Sequence, residues 1–153
     1  MSEEPKAVFA RSRGIQKTRV DSEGRLKFPS TFQDDFESLG EKEVFVSTLD
    51  KTNARIYTAA SWAKAEAFFN ETRDPAAKRI FFTLMKYGQN SVIDKIGRVM
   101  LKPELRVLLK LENQQVYLFP KKGYIDVYTE SIYTGTEEVQ PDDLAIAEEL
   151  GLD

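Results

Sequence analysis

The sequence predicts a mixed α/β, β-rich fold, a small barrel built from two tandem repeats with a helix pair between them. Three observations carry this. The spacing Asp-x-x-Gly-Arg occurs twice, as DSEGR at 21–25 and DKIGR at 94–98. Each copy is followed by the same succession of strand, short helix and two further strands in about fifty residues. The residues between the copies have helical periodicity and contain Asp74-Pro75, an N-cap residue followed by proline at the first helical position.

Each repeat opens with a short strand ending on the motif aspartate, Thr18 to Asp21 and Val92 to Asp94. An aspartate at the first position and a glycine at the fourth form a type I turn signature. The Asp carboxylate can accept from a backbone N–H two residues on, and Gly tolerates the left-handed conformation of a bulged hairpin. Asp21, Gly24, Asp94 and Gly97 are therefore expected to build turns.

The strands after the turns have period two. Leu26 and Phe28 share one face while Arg25 and Lys27 share the other; Val99 and Leu101 oppose Arg98 and Lys102. Helices follow at Pro29-Ser30, with Phe32, Phe36 and Leu39 before Gly40, and at Pro103, with Leu105, Leu108, Leu109 and Leu111. Strand pairs close each copy: Val44 to Leu49 with Arg55 to Thr58 around Asp50–Asn53, and Gln115 to Phe119 with Tyr124 to Tyr128 around Lys121–Gly123. A unit of fifty residues buries too little apolar surface to be secure alone, so two copies are expected to complete one barrel.

Between the repeats, Ser61 to Asn70 offers Trp62, Ala65, Phe68 and Phe69. Ala76 to Tyr87 offers Ile80, Phe81, Leu84 and Met85 and stops at Gly88. Such stripes face the core or a neighbouring subunit. The expected organisation is a flexible extension over 1–12, a first repeat with its helix over 13–72, a linking helix and second repeat over 73–135, and an acidic tail over 136–153, together one pseudo-symmetric unit.

Composition narrows the function. The chain has no histidine and no cysteine, which excludes Ser-His-Asp and Cys-His catalysis and thiolate metal sites. Neither catalytic nor metal-binding residues nor a cofactor are expected. The carboxylates Asp34, Asp35 and Glu37 fit the polar side of a helix better than an acid–base site. No apolar run has membrane-spanning length, and the acidic opening MSEEPKAVFA lacks the layout of an export signal, so a cytoplasmic location is the expectation.

The net charge of −3 conceals a division. Residues 137–153 hold seven of the 25 acids and no base, leaving 18 acids against 22 bases before them. Arg11, Arg13, Lys17, Arg19, Arg25 and Lys27 fall within seventeen residues that contain two acids. A local basic patch of this kind suits a polyanion.

The stretches RVDSEGRLKFPSTF (19–32) and VIDKIGRVMLKPELR (92–106), with RGIQKTRVD (13–21) and KYGQ (86–89), resemble the paired signatures of the MraZ family over about residues 13–130. The resemblance implies a double swapped-hairpin AbrB-like barrel. It also implies a regulator, usually a repressor, of its own division and cell-wall gene cluster. Such a protein binds repeated boxes in double-stranded promoter DNA as a ring-shaped homo-oligomer, associated with the nucleoid, with no small-molecule substrate. By the same resemblance Arg25 and Arg98 are the DNA-contacting arginines. Arg13, Lys17, Arg19 and Lys27 are phosphate contacts by their charge and position, and Lys95, Lys102 and Arg106 are candidates in the second copy. Glu23 stands where the family usually has lysine, and Ile96 where polar residues are common. The alternative is an AbrB-like oligomeric protein-interaction module without DNA binding.

Overall fold

The computed structural model describes residues 8–152. Eight strands form one antiparallel sheet: β1 (Gln16–Val20), β2 (Arg25–Lys27), β3 (Glu43–Thr48), β4 (Ala54–Thr58), β5 (Gln89–Val92), β6 (Arg98–Met100), β7 (Gln114–Pro120) and β8 (Tyr124–Thr129). Their order is β5-β3-β4-β8-β7-β1-β2-β6. The two edge strands approach each other, and the Met100 N–H donates to Ser91 Oγ at 2.9 Å, so the sheet curls into a nearly closed barrel. The expected β-rich barrel is what the chain forms.

The register shows how the repeats depend on each other. β1 of the first repeat pairs with β7 of the second, and β5 of the second pairs with β3 of the first. Each opening strand is thus donated to the other copy. A pseudo-twofold axis relates the halves and crosses the sheet twice. One crossing is at Leu26↔Val99, where β2 meets β6, and the other is at Arg55↔Asp126, where β4 meets β8. The motif turns flank the first crossing, and the β3–β4 and β7–β8 turns flank the second.

An axial pair brings equivalent positions face to face, where two like charges would repel. Here the pair is complementary: Arg55 Nε donates to Asp126 Oδ1 at 3.0 Å, with Asp126 buried and the guanidinium 4.0 Å from the Tyr124 ring centroid.

The strand periodicity holds in the core. Leu26, Phe28, Val99 and Leu101 are all buried, joined by Val20, Val44, Val46, Ile56, Val116, Leu118, Ile125 and Val127. Helices α1 (Ser30–Leu39) and α4 (Pro103–Leu109) plug the barrel with Phe32, Phe36, Leu105 and Leu109. Leu39, expected on the same stripe, is exposed because α1 ends there at the left-handed Gly40.

Helices α2 (Ala59–Glu71) and α3 (Pro75–Tyr87) lie outside the barrel on β3 and β4. Trp62 stacks on Phe45 at 3.9 Å between ring centroids, and Leu84 is buried beside them. The rest of the stripe does not close: Ile80, Met85 and Phe68 remain exposed, since one layer of helix covers only one side.

Two parts differ from the expectation. Residues 1–7 of the proposed extension lie outside the described residues, but 8–12 pack against the barrel. Phe9 sits edge-on to Phe32 and Phe36, and buried Ser12 donates to buried Asp35 at 2.7 Å. A short helix, α5 (Glu130–Gly135), follows β8 where none was expected. Its six residues are too few to show a period, and Thr129 caps it as Thr58 caps the equivalent α2. The tail forms a 3-10 turn at Pro141–Asp143 and helix α6 (Leu144–Glu149).

Candidate nucleic-acid interface

The two motif turns share one construction. Gly24 N–H donates to the Asp21 carbonyl at 3.1 Å, and Gly97 N–H to the Asp94 carbonyl at 3.0 Å. Asp21 Oδ1 accepts from the N–H groups of Glu23 and Arg25, both at 2.9 Å. Asp94 Oδ1 accepts from Ile96 at 3.1 Å and Arg98 at 2.8 Å. The second carboxylate oxygen of each aspartate takes the arginine: Arg25 Nε at 3.0 Å and Arg98 Nε at 2.8 Å.

These contacts hold both carboxyls below the ordinary aspartate range. The following arginine's backbone N–H is the main cause, ahead of its guanidinium and the N–H of residue 23 or 96. One aspartate therefore folds the turn and aims the arginine. With Nε engaged, the two Nη groups at the far end form the fork that grips a phosphate or the O6 and N7 of guanine. Both arginine side chains are 29% exposed, partly held and partly offered.

Each glycine is needed twice over. Both have φ +84°. A Cβ at Gly24 would lie 2.0 Å from Arg106 Nη1, and one at Gly97 would lie 2.2 Å from Gln33 Cδ. Arg106 and Gln33 are equivalent positions on α4 and α1, so each repeat's helix lays a side chain over the other repeat's turn. Arg106 Nη1 donates to the Glu23 carbonyl at 2.7 Å, and Gln33 Nε2 to the Phe28 carbonyl at 2.7 Å. Backbone bonds across the axis fix the turns further: Leu101 N–H to the Gly24 carbonyl at 2.9 Å, and Phe28 N–H to the Gly97 carbonyl at 2.7 Å.

The copies differ at the residue before glycine. Glu23 Oε2 lies 3.1 Å from Arg25 Nη2, covering part of the fork. Ile96 offers no such partner, and among the described residues Asp94 is the one acid paired with Arg98. The second turn presents the freer arginine.

The remaining candidates divide by position. Lys17 and Arg19 point outward from β1, and Arg19 Nη2 reaches Asn113 Oδ1 at 2.7 Å beside the first turn. Lys95 is exposed on the second turn, and Lys27 bonds the Ile96 carbonyl there. Lys102 is spent on the Lys86 carbonyl at 3.0 Å. Arg13 lies past the start of β1, at the opposite end of that strand from the turn, among the residues of a groove with Lys121 and Lys122. Arg106 is mostly covered, with Glu112 at 3.4 Å as well as the Glu23 carbonyl. Gln33 and the buttressing role of Arg106 were invisible in the sequence, because they depend on the exchange of strands.

A barrel of two interleaved hairpin repeats, each projecting an aspartate-held arginine beside one pseudo-dyad, defines a class of double-hairpin barrels with paired arginine turns. The comparisons identify which one. The chain is 30% identical to the transcriptional regulator MraZ of Acidobacterium capsulatum over 142 residues, 89% of this chain and 97% of that protein. It is 30% identical to MraZ of Halorhodospira halophila over 79% of this chain and 81% of that one. For MraZ of Legionella pneumophila (strain Corby) the identity is 30%, over 82% and 84%. No family model matches the chain. The chain belongs to the MraZ family, whose members named here are transcriptional regulators.

Proposed function

We propose that this protein is a sequence-specific DNA-binding transcriptional regulator that recognises repeated promoter boxes as a ring-shaped homo-oligomer, and that it represses its own division and cell-wall gene cluster in the cytoplasm, at the nucleoid. The observation that carries the reading is the pairing of Arg25 and Arg98, each held by its own motif aspartate on the same side of the barrel.

In this mechanism the two arginines read or clamp the duplex, while Lys17, Arg19, Lys27 and Lys95 meet phosphates and set orientation. Two arginine turns per subunit give modest affinity. A ring brings adjacent subunits to adjacent boxes, so later contacts become intramolecular and raise avidity by roughly 10²–10⁴.

The test is a binding titration on the DNA upstream of the protein's own gene, with all boxes or with one. Affinity should collapse on the single-box duplex; equal binding to both would remove the avidity mechanism. The Glu23–Arg25 ion pair favours a second reading, an oligomeric protein-interaction barrel that has lost DNA binding. Absence of any mobility shift on the upstream DNA would select it.

A further inference from the structure

The two motif turns are alike in backbone and anchor, and unlike in what surrounds the arginine fork. Both glycines have φ +84°, and each aspartate takes its arginine's Nε. The first turn, DSEGR, carries two acids and one base; the second, DKIGR, carries one acid and two bases. With Asp21 on Nε and Glu23 on Nη2, Arg25 keeps Nη1 alone without an acidic partner among the described residues. By the same measure Arg98 keeps both Nη groups. Ile96, equivalent to Glu23, is exposed and uncharged. The neighbours widen the difference. Lys95 is exposed on the second turn, and exposed Lys27 crosses from the first repeat to bond the Ile96 carbonyl. Over the first turn lies Arg106, mostly covered and 3.4 Å from Glu112. The exposed cation there is Arg19, on β1, which Asn113 Oδ1 holds at 2.7 Å; its equivalent in the second repeat is Val92.

Guanine presents two acceptors side by side in the major groove, O6 and N7, and reading both takes two donors from one fork. A carboxylate against the fork meets those acceptors with like charge. One free donor beside a separate cation suits a phosphate oxygen instead, which orients the duplex without reading it. We propose, resting on the DNA-binding function above, that the turns divide the work: Arg98 reads guanine, Arg25 and Arg19 hold the backbone, and the residue before the motif glycine, Glu23 or Ile96, decides which turn reads. A barrel with a pseudo-twofold axis then reads its site from one turn and in one direction. Glu23 and Ile96 are the specificity determinants although neither needs to touch a base.

The test uses full-length protein and a pool of duplexes with a randomised central segment, whose bound fraction is sequenced. Wild type should enrich a guanine-containing element. Lysine keeps arginine's charge and lacks its planar fork, so it serves a phosphate contact and fails a two-point one. Arg25→Lys should enrich the same element to within about threefold of wild type, whereas Arg98→Lys should lose about tenfold or more of the enrichment. The exchange variant Glu23→Ile/Ile96→Glu keeps both aspartate–arginine pairs and alters two exposed side chains, so its circular dichroism should match wild type. In that background the loss should follow Arg25→Lys and no longer Arg98→Lys. Equal loss from the two lysine variants, or a changed element in Arg25→Lys, would mean that the first turn reads bases too and would overturn the proposal. Dependence that stays with Arg98 in the exchange variant would overturn it as well. Wild type that binds duplexes but enriches none would leave DNA binding standing and overturn the division of work. Wild type that retains no duplex would remove the DNA-binding function itself, and the division with it.

Discussion

Arg106 occupies the space that a side chain at Gly24 would need, and it bonds the carbonyl of the residue just before that glycine. A helix of the second repeat thereby braces the motif turn of the first; Gln33 fills the equivalent space at Gly97 but bonds the Phe28 carbonyl of its own repeat, and Lys27 takes the Ile96 carbonyl. Because the turns are braced across the pseudo-dyad, the arginines they aim depend on both repeats being folded together.

Gly24→Ala and Gly97→Ala should each destabilise the protein by about 2–3 kcal/mol, combining left-handed strain with displacement of the bracing side chain. Gly40→Ala is the control. Gly40 has φ +69° but open space around its Cβ position, so the cost should be about 1 kcal/mol. Denaturant unfolding at one fixed protein concentration reads the difference.

Arg106→Ala should cost about 1–3 kcal/mol, since it leaves the Glu23 carbonyl without its donor and removes the Glu112 contact. Arg106→Gln, which places at 106 the residue found at the equivalent position 33, should recover much of that stability. Neither should change the salt slope of DNA binding by a full phosphate contact. A slope change of about 0.9 would mean that Arg106 does reach phosphate.

Glu23→Gln should free Arg25 and raise DNA affinity, and Glu23→Lys should raise it further and steepen the salt slope by about 0.9 for one added phosphate contact. A titration of binding against salt concentration distinguishes the two effects.

Acid should act through the motif aspartates. Their folded pKa values lie below the ordinary 3.8, so the stabilisation is present above that value and is lost as pH falls through the lowered ones. Asp21→Asn and Asp94→Asn should weaken the protein at neutral pH and flatten the acid limb below about pH 4, because an amide accepts the backbone bonds but does not pair with arginine. Unfolding midpoints measured from pH 7 down to pH 2 follow both changes.

Arg55→Ala should cost about 3 kcal/mol, since Asp126 stays buried with its main partner gone. The double variant Arg55→Leu/Asp126→Leu should recover part of the loss, as measured by thermal unfolding.

The turns and the strand faces were legible in the sequence because their causes are local. An aspartate three residues before a glycine favours a type I turn from its local chemistry alone, and the alternation around Leu26 and Val99 has only one face to bury. The exchange of β1 and β5 between copies was not legible in period or spacing, and came only through family resemblance. With it went the brace of Arg106, which looks in sequence like one more surface base. Phe9 was missed for a related reason: one aromatic in a polar opening has no period, and only the packed α1 supplies its partners, Phe32 and Phe36. Glu23 was conspicuous as a residue, but whether it would lean on Arg25 was settled by the turn's geometry.

The central claim, that the paired arginines carry DNA recognition, is tested most directly by a titration of wild type and Arg25→Ala/Arg98→Ala on the upstream DNA across a range of salt. The account predicts a loss of at least a hundredfold in affinity and a shallower salt slope, with the circular dichroism unchanged. Wild-type affinity and slope in the double variant would contradict it.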